Sequence, residues 1–174
     1  RDDVMVLGDA MIFEGTIAEF LGVANPALTR ADMREALRVV GLDDAVEKLS
    51  DGLDQHISPY GYPLAPTETM RLKVAQALLM QPSVLVMTPL YDALQCSHRR
   101  RIVERAKALN ITLIFMSNRR DLDAFERYQL LDVEVKPGDP TVFDSLDELV
   151  RFEIERGLRE DARPAAQAEV GETA

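Results

Sequence analysis

The apolar residues of this chain alternate between short continuous runs and stretches in which they recur every three or four positions. Val4-Met5-Val6-Leu7 is the first continuous run, of the kind that forms a buried strand, and Gly8-Asp9 turns the chain after it. Met11 to Ile17 is an apolar approach to a loop and short helix, which Asn25-Pro26 breaks. Thr29, with Asp32 three residues on, makes a capping pattern, and Met33, Leu37 and Val40 then recur at helical spacing until Gly41 closes the segment. A second short helix is expected from about Asp43, carrying Ala45, Val46 and Leu49 and stopping before Gly52. The stretch from Gln55 to Pro66 is rich in proline and is expected to be irregular.

From Pro66 the pattern lengthens. Proline suits the first helical position and Glu68 the positive first turn, so a helix is expected to about Met80, where Gln81-Pro82 ends it. Val84-Leu85-Val86-Met87 and Ile111 to Met116 are two more strand-like runs, separated by a helix from Ser97 to Asn110 with Ile102, Val103, Ala106 and Leu109 on one face. A helical piece around Asp121 to Glu126 leads to a strand from Gln129 to Val135, and a tight turn at Lys136-Pro137-Gly138-Asp139 leads into Thr141-Val142-Phe143, completing a hairpin. Ser145 with Glu148 is a capping box for a last helix to about Gly157, and the Ala-, Glu- and Pro-rich remainder is expected to be a disordered tail. Short buried strands alternating with helices predict an α/β fold: a mostly parallel sheet flanked by helices, with a small helical insert.

Composition narrows the function. A formal charge of −10 over 174 residues, with scattered Lys and Arg, leaves no basic stripe for phosphates, so no nucleic acid partner is expected. No apolar run approaches the roughly 18–20 residues that cross a bilayer, and the N-terminus lacks signal-peptide order. Membrane association is therefore expected only through a partner or a segment outside this sequence. Cys96 has no second cysteine to pair with, and His56 and His98 alone cannot build a structural zinc site, so no metal site and a cytoplasmic setting are expected. Cys96 is expected to be an unreactive loop thiol, His56 and His98 surface histidines, and Arg99-Arg100-Arg101 a solvated helix face. The start at Arg1, running at once into a strand, is that expected of a fragment of a longer protein.

Four segments carry a family resemblance. Ile12-Phe13-Glu14-Gly15-Thr16-Ile17-Ala18-Glu19 is similar to the "LFSGTIREN" stretch that follows the Q-loop in exporter-type ABC domains. Ala36 to Leu42, with Leu49-Ser50-Asp51-Gly52-Leu53-Asp54, resembles their helical subdomain and its "LPxGxDT" sequence. Arg71 to Pro82 resembles "RLALARALLRDP", the helix after the signature motif, and Val84 to Met87 resembles the start of the Walker B strand. In this order they resemble the C-terminal portion of an exporter-type ABC nucleotide-binding domain over roughly residues 4–150. The resemblance implies a partial P-loop ATPase-like, three-layer α/β domain over residues 1–157, with a helical subdomain at about 20–82, parallel-sheet core elsewhere and a tail at 158–174.

The same alignment implies that the family's chemical groups are substituted. Its P-loop, which grips phosphates with backbone amides and a lysine, would lie upstream of Arg1, and no G-x-x-x-x-G-K-[ST] occurs here. The Q-loop glutamine aligns with Gly8, and the signature "LSGGQ" with Leu64-Ala65-Pro66-Thr67-Glu68. Pro66 removes an amide and Ala65 a hydroxyl, and Glu68 sets a negative charge that would repel a phosphate by about 4 kcal/mol at 4 Å in a surface-like dielectric. Pro66 and Glu68 also simply begin a good helix. The magnesium-binding aspartate becomes Thr88, the general-base glutamate Pro89 and the switch histidine Asn118, whose amide keeps some capacity to donate to a phosphate. The D-loop reads Asp92-Ala93-Leu94-Gln95, with Asp92 weighed as a displaced carboxylate against an ordinary loop aspartate.

The expectation is thus a degenerate, non-hydrolytic module of an ABC exporter, taking no cofactor by itself, with ATP and magnesium possible only through an upstream P-loop. Its implied partners are a transmembrane domain, met by Gly8 to Leu21, and a second nucleotide-binding domain in a homo- or heterodimer at the inner face of the cell membrane. Two alternatives stand beside it. One is the ATP-binding subunit of an active transporter, with an upstream P-loop and a partner domain supplying ATPase activity; the other is a soluble interaction module on the same fold.

Overall fold

The structure, a computed structural model, describes residues 3–9, 12–23, 25–117, 128–130 and 141–161. It forms two compact units, Arg1–Arg119 and Arg120–Ala174. In the first, the elements run β1 (Val4–Leu7), β2 (Gly15–Thr16), α1 (Ile17–Gly22), α2 (Arg30–Val40), α3 (Asp43–Glu47), β3 (His56–Ile57), α4 (Pro66–Met80), β4 (Val84–Met87), α5 (Cys96–Ala108) and β5 (Thr112–Phe115).

The three expected apolar runs form one parallel sheet in the order β1-β4-β5, with Leu7 opposite Met87 and Met87 opposite Phe115. Alternation across the pleat separates its two faces. Leu7, Leu85 and Met87 are buried, with Met5, Leu113 and Phe115 packed against the same core, whereas Val4 and Val6 are 63% and 61% exposed and Ile114 48%. Helix α4 packs on β1 and α5 on β5. This is the α/β arrangement, a parallel sheet flanked by helices, that the strand-helix alternation predicts.

Helix α2 follows directly from its sequence signals. Thr29 Oγ1 accepts from the Asp32 amide at 3.2 Å while the Asp32 carboxylate accepts from the Thr29 amide at 2.8 Å, a complete capping box. Gly41 ends the helix in the left-handed conformation (φ 68°). The buried stripe of Met33, Ala36, Leu37 and Val40 packs against α4 and α5. At its C-terminal end the carbonyls are met by cations: Arg71 donates to Gly41 O and Arg101 to Arg38 O at 3.0 Å. Gln76 Nε2 donates to Phe20 O at 2.7 Å and ties α4 to α1.

Two details depart from expectation. Helix α3 stops at Glu47, leaving Leu49 outside it, with the Leu49 amide closing a turn onto Val46 O. Within the stretch expected to be irregular, His56–Ile57 pairs antiparallel with Gly15–Thr16 (Gly15 opposite Ile57), a two-residue ladder too short to leave a periodic trace.

The second unit holds β6 (Tyr128–Leu130), antiparallel to β7 (Thr141–Phe143), and α6 (Leu146–Asp161). The Glu148 amide donates to Ser145 Oγ at 3.2 Å, and the Phe143 and Phe152 rings lie 5.3 Å apart. The helix continues past Gly157. The expected helical piece at Asp121 to Glu126, the rest of the strand to Val135, the Lys136 to Asp139 turn and residues 162–174 lie outside the described residues.

Candidate functional site

In open parallel sheets, ligands bind outside the carboxyl ends of the strands. Here that edge is made by Gly8 and Asp9 after β1, Thr88 to Asp92 after β4, and Met116 and Ser117 after β5. Backbone bonds hold the three exits side by side: the Thr88 amide donates to Leu7 O at 3.3 Å and the Met116 amide to Met87 O at 2.9 Å. Pro89 begins a 3₁₀ turn, Pro89–Ala93, closed by the Tyr91 amide on Thr88 O at 3.0 Å. Proline has no proton-accepting group in its side chain, and the Thr88 hydroxyl is no carboxylate. Asp92 is the first acid after β4 along the chain, in the segment that follows the strand as expected. It is half-buried rather than solvated, and its Oδ1 accepts from Ser117 Oγ at 2.5 Å, bridging the exits of β4 and β5. A Cβ built on Gly8 meets nothing within 4 Å, so no steric demand requires glycine there. Asn118 lies outside the described residues. Among the described residues no three His, Cys, Asp or Glu side chains gather as a metal-binding group.

Leu64-Ala65-Pro66-Thr67-Glu68 forms the entry and first turn of α4. Leu64 is buried, Pro66 takes the first helical position, and Ala65 has no side-chain oxygen to cap the amides. Glu68 supplies the charge instead: its Oε2 accepts from the Ala65 amide at 2.8 Å and its Oε1 lies 3.9 Å from Arg71 Nη2. The helix therefore carries its own anion at its positive end. Immediately before it, Gly61 turns with φ +89° against the Thr69 side chain.

Known proteins resemble the chain in sequence and in fold. No protein-family model matches the chain. It is 26% identical over 130 residues to a protein named as an export ATP-binding/permease protein in Rickettsia felis, covering 75% of this chain and 23% of that protein. It is 29% identical over 131 residues to a multidrug efflux ATP-binding/permease protein of Mycobacterium bovis (74% and 11%), and 26% identical over 121 residues to a heterocyst differentiation ATP-binding protein of a Nostoc species (68% and 20%). A bacterial Atm1-family ABC exporter solved with ATP bound superposes over 95% of this chain and 29% of its own, with a TM-score of 0.73 at 21% identity.

The chain is similar in sequence to ABC export ATP-binding/permease proteins and in fold to an ABC exporter. It spans about a quarter or less of the length of these relatives. The exporter-like order of segments read from the sequence is thus matched by relatives in sequence and by an exporter in fold.

Three residues of this exporter-like domain behave otherwise than their sequence context suggests. Arg99, expected on a solvated face, is 4% exposed and donates to Leu94 O at 2.6 Å, Asp92 O at 3.3 Å and Cys96 Sγ at 2.9 Å, fastening the loop after β4 to α5. The signal was present, since Arg99, Ile102, Val103 and Ala106 share one helical stripe. Cys96 is not in a loop but is the exposed first residue of α5. His98 is half-buried with its ring against Gly41, while His56 is exposed as expected. Burial first, then the charges of Arg71 and Arg101, holds the His98 imidazole below its ordinary range.

A group more readily protonated in the unfolded chain than in the folded one makes folding weaken on acidification. The stability that neutral His98 contributes is complete above pH about 6.5 and is lost as pH falls through its lowered folded value. A His98→Leu variant is expected to show a flatter decline in unfolding midpoint between pH 7.5 and 5 (a range chosen about that ordinary value); an unchanged decline would remove His98 as its source.

Proposed function

We propose that this chain is a degenerate, non-hydrolytic nucleotide-binding-domain module of an ABC exporter-type transport system. The observation that carries it is the exit of β4, where Thr88 and Pro89 stand at the positions the family resemblance assigns to the magnesium-binding and general-base carboxylates. General-base catalysis is typically worth about 10²–10⁴-fold, and electrostatic stabilisation is usually the largest single contribution. Neither has a side chain here to provide it. The donor set does not suit magnesium-bound ATP: the strand exits offer Asp92, already bonded to Ser117, and Asp9, exposed after β1, while the first turn of α4 is occupied by Glu68. ATP and magnesium would bind only with a P-loop supplied upstream.

The same reading gives the module its partners. It would dock by Gly8 to Leu21 on the transmembrane domain of an exporter, where α1 presents a short helix capped by Thr16 and Glu19, and pair with a second nucleotide-binding domain that carries intact motifs. No helix among the described residues is long and apolar enough to cross a membrane. A place at the inner face of the membrane would therefore be reached through a partner or another segment.

The test is ATP hydrolysis by the full-length polypeptide with and without its partner, comparing the parent with Asp92→Asn. The expected outcome is no steady turnover at this composite site, with Asp92→Asn changing nothing. Turnover abolished by Asp92→Asn would overturn the proposal in favour of an active ATP-binding subunit.

A further inference from the structure

Tyr91 is fully buried, and its Oη has no hydrogen-bond partner among the described residues. Buried hydroxyls are satisfied in the great majority of folded proteins, so an orphan of this kind asks for a partner. The ring is fixed in the turn leaving β4, with its own amide on Thr88 O. Burial first, and then the nearby charge of Asp9, pushes the phenol up to about 12, so the group is a standing donor across the physiological range. Asp9 leaves β1, the strand paired with β4, and the Thr88 amide bonded to Leu7 O keeps the two exits adjacent. Asp9 itself is exposed, and before it stands a glycine, Gly8, at which an added Cβ would meet nothing within 4 Å.

We propose that Tyr91 and Asp9 form a latch, in which Tyr91 Oη–H donates to the Asp9 carboxylate and pins the segment leaving β1 to the turn leaving β4. The structure holds its open form, with the acid exposed and the phenol without a partner among the described residues. Closing requires only that Asp9 swing about Gly8. It gives a buried donor a charged acceptor, the stronger class of hydrogen bond, and fixes the point from which Ile12 to Thr16 set out. The latch is internal to this chain and stands whether or not the chain docks on a membrane domain.

Tyr91→Phe, Asp9→Ala and the double variant, made in the full 174-residue chain, test it by urea unfolding and by amide hydrogen exchange. A hydrogen bond to a charged group predicts that Tyr91→Phe lowers the folding equilibrium constant roughly tenfold, and that this loss disappears when Asp9 is already alanine. Exchange at the Gly8 amide is expected to quicken in both single variants, with the Val86 amide in the sheet unchanged. A Tyr91→Phe chain as stable as the parent, or more stable, would overturn the latch, because removing a donor that never finds an acceptor costs nothing. Losses that simply add in the double variant would also overturn it, by assigning the acceptor elsewhere.

Discussion

Alanine at Gly61 is expected to destabilise the chain by about 3 kcal/mol or more, lowering the unfolding midpoint by roughly 6–12 °C for a domain of this size. Two costs combine. The residue sits at φ +89°, where a side chain is strained whatever the space around it, and the added Cβ would overlap Thr69 Oγ1 and stand 2.7 Å from its Cγ2 and 2.9 Å from its Cβ. Threonine is stiff about χ1 and cannot swing clear, and it is held in the first turns of α4 by its hydroxyl on Ala65 O at 3.2 Å. Relief must come from moving either the turn or the helix. Thermal melts of Gly61→Ala and of the Gly61→Ala, Thr69→Ala pair separate the two costs: the second substitution should recover the steric part and leave the backbone part. A Gly61→Ala chain melting with the parent would show that the close approach is absent.

Leu37→Ala is expected to cost about 2–5 kcal/mol, the range for truncating a fully buried leucine. Leu37 is 1% exposed on the stripe by which α2 meets both α4 and α5. Its removal leaves a cavity where three helices converge, with little freedom to collapse around it because Arg71 and Arg101 already fix the end of α2. Urea unfolding should show a lower midpoint with the slope unchanged. A loss below about 1 kcal/mol would mean that α2 is not packed as described.

These two positions show where the sequence was legible and where it was not. Leu37 could be assigned to a core face without coordinates, since the Thr29 box, the three-and-four spacing and Gly41 all point to one amphipathic helix. The strands were equally plain as continuous runs, because a parallel strand packed in a layered fold loses most polar positions. Gly61 was not legible as a special position. What makes it one is Thr69, on a different element, and turn residues alone do not reveal which helix they lie against. The same holds for β2 and β3, whose two-residue pairing joins distant segments, and for the bond between Asp92 and Ser117, which links two strand exits that only the sheet order brings together. At the candidate site, the residues that the family resemblance aligns with its motifs could be named from the sequence, but Glu68 as the internal partner of the Ala65 amide, Arg99 as a buried clamp and Tyr91 as a buried donor without a partner among the described residues needed the third dimension.

The strand order has a consequence for how the chain assembles. β4 and β5 are joined through a single intervening helix, Val84 standing opposite Thr112, whereas Val4 must find Val84, with the whole helical lobe lying between them. Contacts of long sequence separation are slow to form, since the loop entropy is lost before the pairing repays it. Of these three strands, β1 is made first and is therefore the last to be seated. Until Val84 is made, its valines lack the β4 partner, and such an apolar strand is the part of a nascent chain that chaperones and misassembly compete for.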